Sequence, residues 1–134
     1  MHRLKILMLF TALIMVFNAK SQSQSEINTS AQSYYEKADA KLNQVYNAIL
    51  KEYSSNEEFV ENLKRSERIW IEFRDAEMLV KYPKNDGTRN GSVFPTCYYY
   101  YLAELTEART KTLQQWLDGA MQGDVCSGSI KIAD

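Results

Sequence analysis

From residue 29 onward, apolar side chains recur in steps of three and four, the period of helices that bury one face. Thr29 or Ser30 can cap the first run, whose inward positions are Tyr35, Ala38, Leu42, Val45, Tyr46, Ile49, Leu50 and Tyr53. Ser54-Ser55-Asn56 interrupts it. Asn56 followed by Glu57 and Glu58 suits a new start, because carboxylates favour the positive end of a helix dipole. In the second run Phe59, Leu63, Trp70, Phe73 and Val80 keep the helical step and are expected in the core, with Ser66 and Glu77 as polar interruptions of the same face. Pro83 ends that run, and the polar segment Lys84 to Gly91, with its Asp86-Gly87 and Asn90-Gly91 pairs, reads as an exposed loop. Ser92 is the expected cap of a third helix, and Pro95 fits its first turn, where a missing N–H costs nothing. That helix passes through Tyr98, Tyr101, Leu102, Leu105, Ala108, Thr112, Leu113, Trp116 and Leu117 and stops near Gly119 to Gly123. No segment reads as a strand of useful length. The expected fold is all-α: one small bundle of three long helices with a short C-terminal tail, occupying residues 29–134.

The first residues follow a different pattern. His2, Arg3 and Lys5 precede an almost unbroken apolar run from Ile6 to Phe17, and Ala19-Lys20-Ser21 offers small residues for cleavage. This is the pattern of an export signal over residues 1–21, since the run is about half the roughly 20 residues that span a bilayer. No cysteine follows closely for lipid attachment. The polar residues 22–28 read as a disordered linker. The expected product is exported, periplasmic or secreted, without a stable membrane anchor.

Removing that leader alters both charge and chemistry. Without Arg3, Lys5 and Lys20, the remaining 13 of the 16 basic residues face 17 acids, a balance of −4. An acidic surface without clustered Lys and Arg argues against nucleic acid and suits solubility or a basic protein partner. His2 is the single histidine and leaves with the leader. Ser-His-Asp and Cys-His catalysis and histidine metal sites are thereby excluded, and no metal or cofactor is implied. Chemistry resting on carboxylates alone survives, but three helices rarely form the cleft a glycosidase needs, so the expectation is a protein that is not an enzyme. Cys97 and Cys126 both remain, and an oxidising compartment favours a disulfide between them over two free thiols.

Charged residues crowd the apolar stripes of the second and third helices. Arg74, Asp75 and Glu77 lie within a turn of Trp70 and Phe73, and Glu104 and Arg109 flank Leu105. A solvated helix face has no need for this, so the five are expected to form a partly buried structural ionic cluster. Arg74 could reach Glu104 or a helix-end carbonyl, and Arg109 could reach Asp75 or Glu77. Adjacent Arg74 and Asp75 diverge by about 100° and cannot both point inward.

The order Trp70-x-x-x-Arg74-Asp75-Ala76-Glu77, then Gly91-Ser92, then Leu105-Thr106-x-x-Arg109 and Leu113, resembles the LprI-type lysozyme inhibitor domain family of bacterial exported proteins and lipoproteins, over about Tyr34 to Leu117. The resemblance implies a small helical protein that binds lysozyme and blocks its action on peptidoglycan, although many members have no known function. In that family one cysteine commonly follows the Arg-Asp-Ala-x sequence and another precedes the Leu-x-x-Leu-Thr segment. Here Met78 and Tyr101 occupy those positions. The alternative within the same fold is an envelope interaction protein without lysozyme activity.

A lysozyme inhibitor has to cover a cleft that works through two carboxyl groups. The loop from Pro83 to Pro95 offers Lys84 and Arg89 for this, beside the Tyr98–Tyr101 run, whose four rings cannot all face inward on a helix. Tyr98 and Tyr101 fit the core by position, leaving Tyr99 or Tyr100 outward. Lys84, Arg89, Tyr99 and Tyr100 are therefore the candidate binding residues. The sequence leaves the oligomeric state open.

Overall fold

The computed structural model describes residues 2–133, with side chains from residue 23 onward, and contains three helices: α1 (His2–Glu52), α2 (Glu57–Lys81) and α3 (Phe94–Asp118). The side chains of the expected export leader lie outside the described residues. No strand occurs among the described residues, and none of the described helices is long and apolar enough to cross a membrane.

Contrary to the expected linker and Thr29 or Ser30 cap, α1 is helical through residues 22–28. Tertiary bonds explain this: Asn28 donates to the Ser92 carbonyl at 3.0 Å and accepts from the Thr96 hydroxyl, and Gln24 donates to Thr96 at 3.4 Å. Local polarity favoured a loop, and contact with the start of α3 overrode it. At α2 the anticipated cap is present, with Asn56 Oδ1 accepting from the Phe59 N–H at 3.0 Å. Ser92 does not cap α3. Val93 holds the cap position, without a side-chain bond, and Pro95 sits in the first turn.

The chain runs up, down and up. Asn28 meets Thr96, Tyr35 stacks on Tyr99 and Tyr53 reaches Trp116, so α1 and α3 are parallel and packed along their length. The core is centred on Leu42, Val45 and Ile49 of α1, Leu63 of α2 and Leu113 of α3, ringed by Tyr46, Leu50, Tyr53, Phe59, Trp70, Trp116 and Leu117. α2 packs more loosely. It turns Leu63, Glu67 and Met78 inward, while Phe73 and Val80, expected in the core, are 56% and 76% exposed. In α3 the buried positions include Ala103 and Thr106, whereas Ala108 and Thr112 lie outside. Thr106 is fully buried at no cost because its hydroxyl donates to the Leu102 carbonyl at 2.8 Å.

The C-terminal tail is a clasp. Gly119 ends α3 with φ 83°, and Ala120 pairs with the returning chain through Lys131 O at 2.7 Å and Ala133 N at 2.8 Å. The Tyr53 hydroxyl donates to Trp116 O at 3.0 Å and accepts from Lys131 N at 3.0 Å, the Trp116 indole donates to Ser129 at 3.0 Å, and Lys131 Nζ lies 2.6 Å from Glu52. The lysine holds the Glu52 carboxyl below its usual range, first through this hydrogen bond and then through its charge.

The expected Cys97–Cys126 bridge is not formed. Both cysteines are free and exposed. Cys97 lies at the start of α3 and Cys126 beyond its end, separated by about 30 Å of helix at 1.5 Å per residue, against the roughly 7 Å that a disulfide tolerates between Cα atoms.

Candidate binding face

The loop between α2 and α3 is held by its own hydrogen bonds. Tyr82 caps α2, donating its N–H to Met78 O at 2.9 Å, and its ring meets Phe94, Tyr98 and Tyr101 at centroid distances of 5.6, 6.0 and 6.3 Å. Burial among these rings pushes the Tyr82 hydroxyl above its ordinary range. Arg89 grips the same residue: Nε and Nη2 donate to the Tyr82 carbonyl at 3.0 and 2.6 Å, with the guanidinium 5.9 Å from the Phe94 ring. Asp86 Oδ1 accepts from the Thr88 N–H at 2.9 Å, and this bond keeps its carboxyl below the usual range. Asn90 N–H donates to Gly87 O at 3.1 Å, across a turn in which Gly87 has φ 81°.

The four candidate binding residues therefore separate. Arg89 is half-buried and spends its donors within the chain, and Tyr99 is half-buried against Tyr35, with ring centroids 6.1 Å apart. Lys84 and Tyr100 are exposed. Tyr100 pairs with exposed Tyr34 of α1 at 5.7 Å, and the Tyr34 hydroxyl donates to Glu107 at 2.6 Å, which raises its pKa. Sequence periodicity on α1 had not singled out Tyr34, because a residue just outside an apolar stripe carries no signal of a partner on another helix. From Tyr34 an open groove of about 570 Å³ continues between α1 and α3, lined by Lys37, Lys41, Glu107, Lys111 and Asp118. Glu107 accepts from Tyr34 and Asp118 from Gln114, and three lysines against these two acids leave the groove one net positive charge.

The ionic cluster is also rearranged. Arg109 Nε donates to Glu67 Oε2 at 3.0 Å and its Nη2 to Ser66 at 3.0 Å, and the Arg109 and Glu67 side chains are 13% and 12% exposed. Trp70 has two cations against it, the guanidinium of Arg74 at 5.3 Å and that of Arg109 at 5.9 Å from the ring centroid. The expected partners of both arginines were wrong. Arg74 bonds its neighbour Asp75 at 2.8 Å, Glu77 accepts from the Tyr101 hydroxyl at 3.1 Å, and Glu104 is exposed. Glu67, the acid that matters, lies four residues after buried Leu63 and so on the same face. Burial and the Glu77 bond raise the Tyr101 pKa, and Lys81 Nζ stands 3.3 Å from the Tyr101 ring centroid. Among the described residues no three His, Cys, Asp or Glu side chains gather as a metal site.

The family model described as lysozyme inhibitor LprI matches residues 18–113. The chain belongs to the LprI family. Its matched span contains the Trp70–Arg74–Arg109 stack and the Glu67 that neutralises Arg109, so three of the residues that carried the resemblance in sequence pack together in space. An uncharacterized protein of Rhizobium meliloti (strain 1021) is 30% identical over 112 residues, covering 75% of this chain and 78% of that protein. No solved structure matches the chain. LprI membership implies a protein partner. Tyr101, bonded to Glu77 and set against the Lys81 ammonium, ties α3 to the turn of α2 that contains Met78.

Proposed function

We propose that the chain is an exported binding protein that inhibits lysozyme by docking the loop end of its bundle over the enzyme's cleft. Membership of the LprI family over residues 18–113 carries this reading. The geometry supports it in three ways. The loop is stiffened by Arg89, so little conformational freedom is lost on binding. Exposed Tyr34 and Tyr100 present paired amphipathic rings of the kind enriched at interface hot spots. Lys84 on the loop and Lys37, Lys41 and Lys111 along the groove supply cations for a cleft that works through carboxyl groups. Arg74, Asp75, Glu77, Glu104 and Arg109 do not belong to the docking face.

The test is turbidity clearing of peptidoglycan by goose-, chicken- and phage-type lysozymes, each with and without the purified protein. Slower clearing at stoichiometric amounts with at least one class is expected. Unchanged clearing with all three assigns the face to a different protein partner, and faster clearing when the protein is added makes it an enzyme.

A further inference from the structure

α2 carries two stripes. Leu63, Glu67, Trp70, Arg74 and Met78 face the bundle, and about a third of a turn further round, Ile69, Phe73, Ala76 and Val80 form a second line that touches none of the core. Ile69, Phe73 and Val80 are each more than half exposed, with Leu79 at the margin nearly so. The spacing of four, three and four is the register in which one helix seats another. An isolated exposed Leu or Ile requires no explanation, but an aligned stripe on the helix that packs most loosely does.

We propose that this stripe is a self-association surface, on which the α2 helices of two copies pair antiparallel about a two-fold axis. The pattern is self-complementary in volume. With the axis between residues 74 and 75, Ile69 of one copy lies opposite Val80 of the other and Phe73 opposite Ala76, so a large ring meets a methyl group in both central layers. The flanking positions bring Glu72 against Leu79, and no like charges meet at the centre. The area is consistent with this occupant. At the exposures found, each of the four large residues offers on the order of 100 Å² of surface, so a symmetric pair covers roughly 800 Å², below what stable specific interfaces bury and in the range of a weak, transient contact. The dimer is therefore weak and concentration-dependent. It leaves the Tyr34–Tyr100 face free, so the proposal does not depend on the lysozyme reading.

Sedimentation equilibrium of the purified protein over a hundredfold concentration range reads this directly. A monomer–dimer equilibrium is expected for the native chain and a monomer for Phe73→Glu, whose helical circular dichroism and melting temperature should match the native values because the position is outside the core. The register is tested by a swap: Phe73→Ala and Ala76→Phe should each weaken the dimer about tenfold or more, and the double swap should recover most of the loss, since large again faces small. A native chain that stays monomeric throughout, a Phe73→Glu variant that dimerises normally, or a double swap no better than either single change would overturn the proposal.

Discussion

Replacing Arg109 with alanine strips the Glu67 carboxylate of its counter-ion in a site where only 12% of that side chain meets solvent, and leaves Ser66 without its guanidinium partner. Breaking a fully buried pair by removing one member costs about 3–5 kcal/mol. The residual exposure lets water reach Glu67 and lowers that figure, while the loss of the cation from the Trp70 face adds about 0.5–1 kcal/mol. A net destabilisation of roughly 2–4 kcal/mol follows, and at about 4–8 °C per kcal/mol for a domain of about 100 residues the melting temperature should fall by roughly 8–30 °C. Urea unfolding followed by circular dichroism measures the energy, and a double-mutant cycle with Glu67→Ala isolates the pair. Glu67→Ala with Arg109→Ala should cost less than the sum of the single changes, since the second truncation removes the stranded charge. An Arg109→Ala protein within about 0.5 kcal/mol of native would show that the pair is solvated in solution. Loss of lysozyme inhibition at unchanged stability would move Arg109 to the binding face and refute its structural assignment.

Further outcomes are expected. Gly119→Ala should destabilise by more than about 1 kcal/mol in the same urea assay, because a Cβ there would stand 2.9 Å from the Ala133 nitrogen at a φ of 83°. Tyr100→Ala should weaken lysozyme inhibition without changing the melting temperature, whereas Arg89→Ala should first raise amide hydrogen exchange across residues 83–93, through loss of its two bonds to Tyr82. The Tyr34, Tyr35, Tyr46, Tyr82 and Tyr101 hydroxyls are all held above their ordinary pKa in the folded chain, by burial or a neighbouring carboxylate. Stability from these groups is complete below about pH 10, the unfolded tyrosine value, and should drain away as pH rises through the folded values, visible as melting temperatures that fall as the pH is raised above about 10. Melting temperatures with and without reductant should agree, since Cys97 and Cys126 cannot meet within one chain.

Helix number, order and most boundaries were legible because they depend on signals within one turn of sequence: the Asn56 cap, the Pro83 stop, the Gly119 exit and the three-four rhythm of α1. What could not be read is which of two apolar stripes on α2 faces the bundle. Phe73 and Val80 match the helical step as well as Leu63 does, and two charged residues, Glu67 and Arg74, occupy the face that turns inward. A hydrophobic count prefers the wrong side whenever the inward face is completed by a neutralised pair and a cation held against a ring. The same limit applies to the binding residues: Arg89 looked available because a loop arginine has no visible partner in sequence, while its acceptor is a backbone carbonyl seven residues earlier. The proposed Cys97–Cys126 bridge failed on a point that arithmetic contained, since a helix between two residues holds them apart.

The tightest helix pair of the bundle joins the first helix to the last, through contacts such as Tyr34 to Glu107 and Tyr53 to Trp116, residues 73 and 63 positions apart. Contacts so remote in sequence are unusual for a helical protein and should slow its folding relative to bundles built from neighbouring hairpins. They also set when folding can finish. An emerging chain has α1 and α2 before it has α3, and Lys131, which locks Tyr53, follows later still, so this bundle closes only after residue 131 has been made.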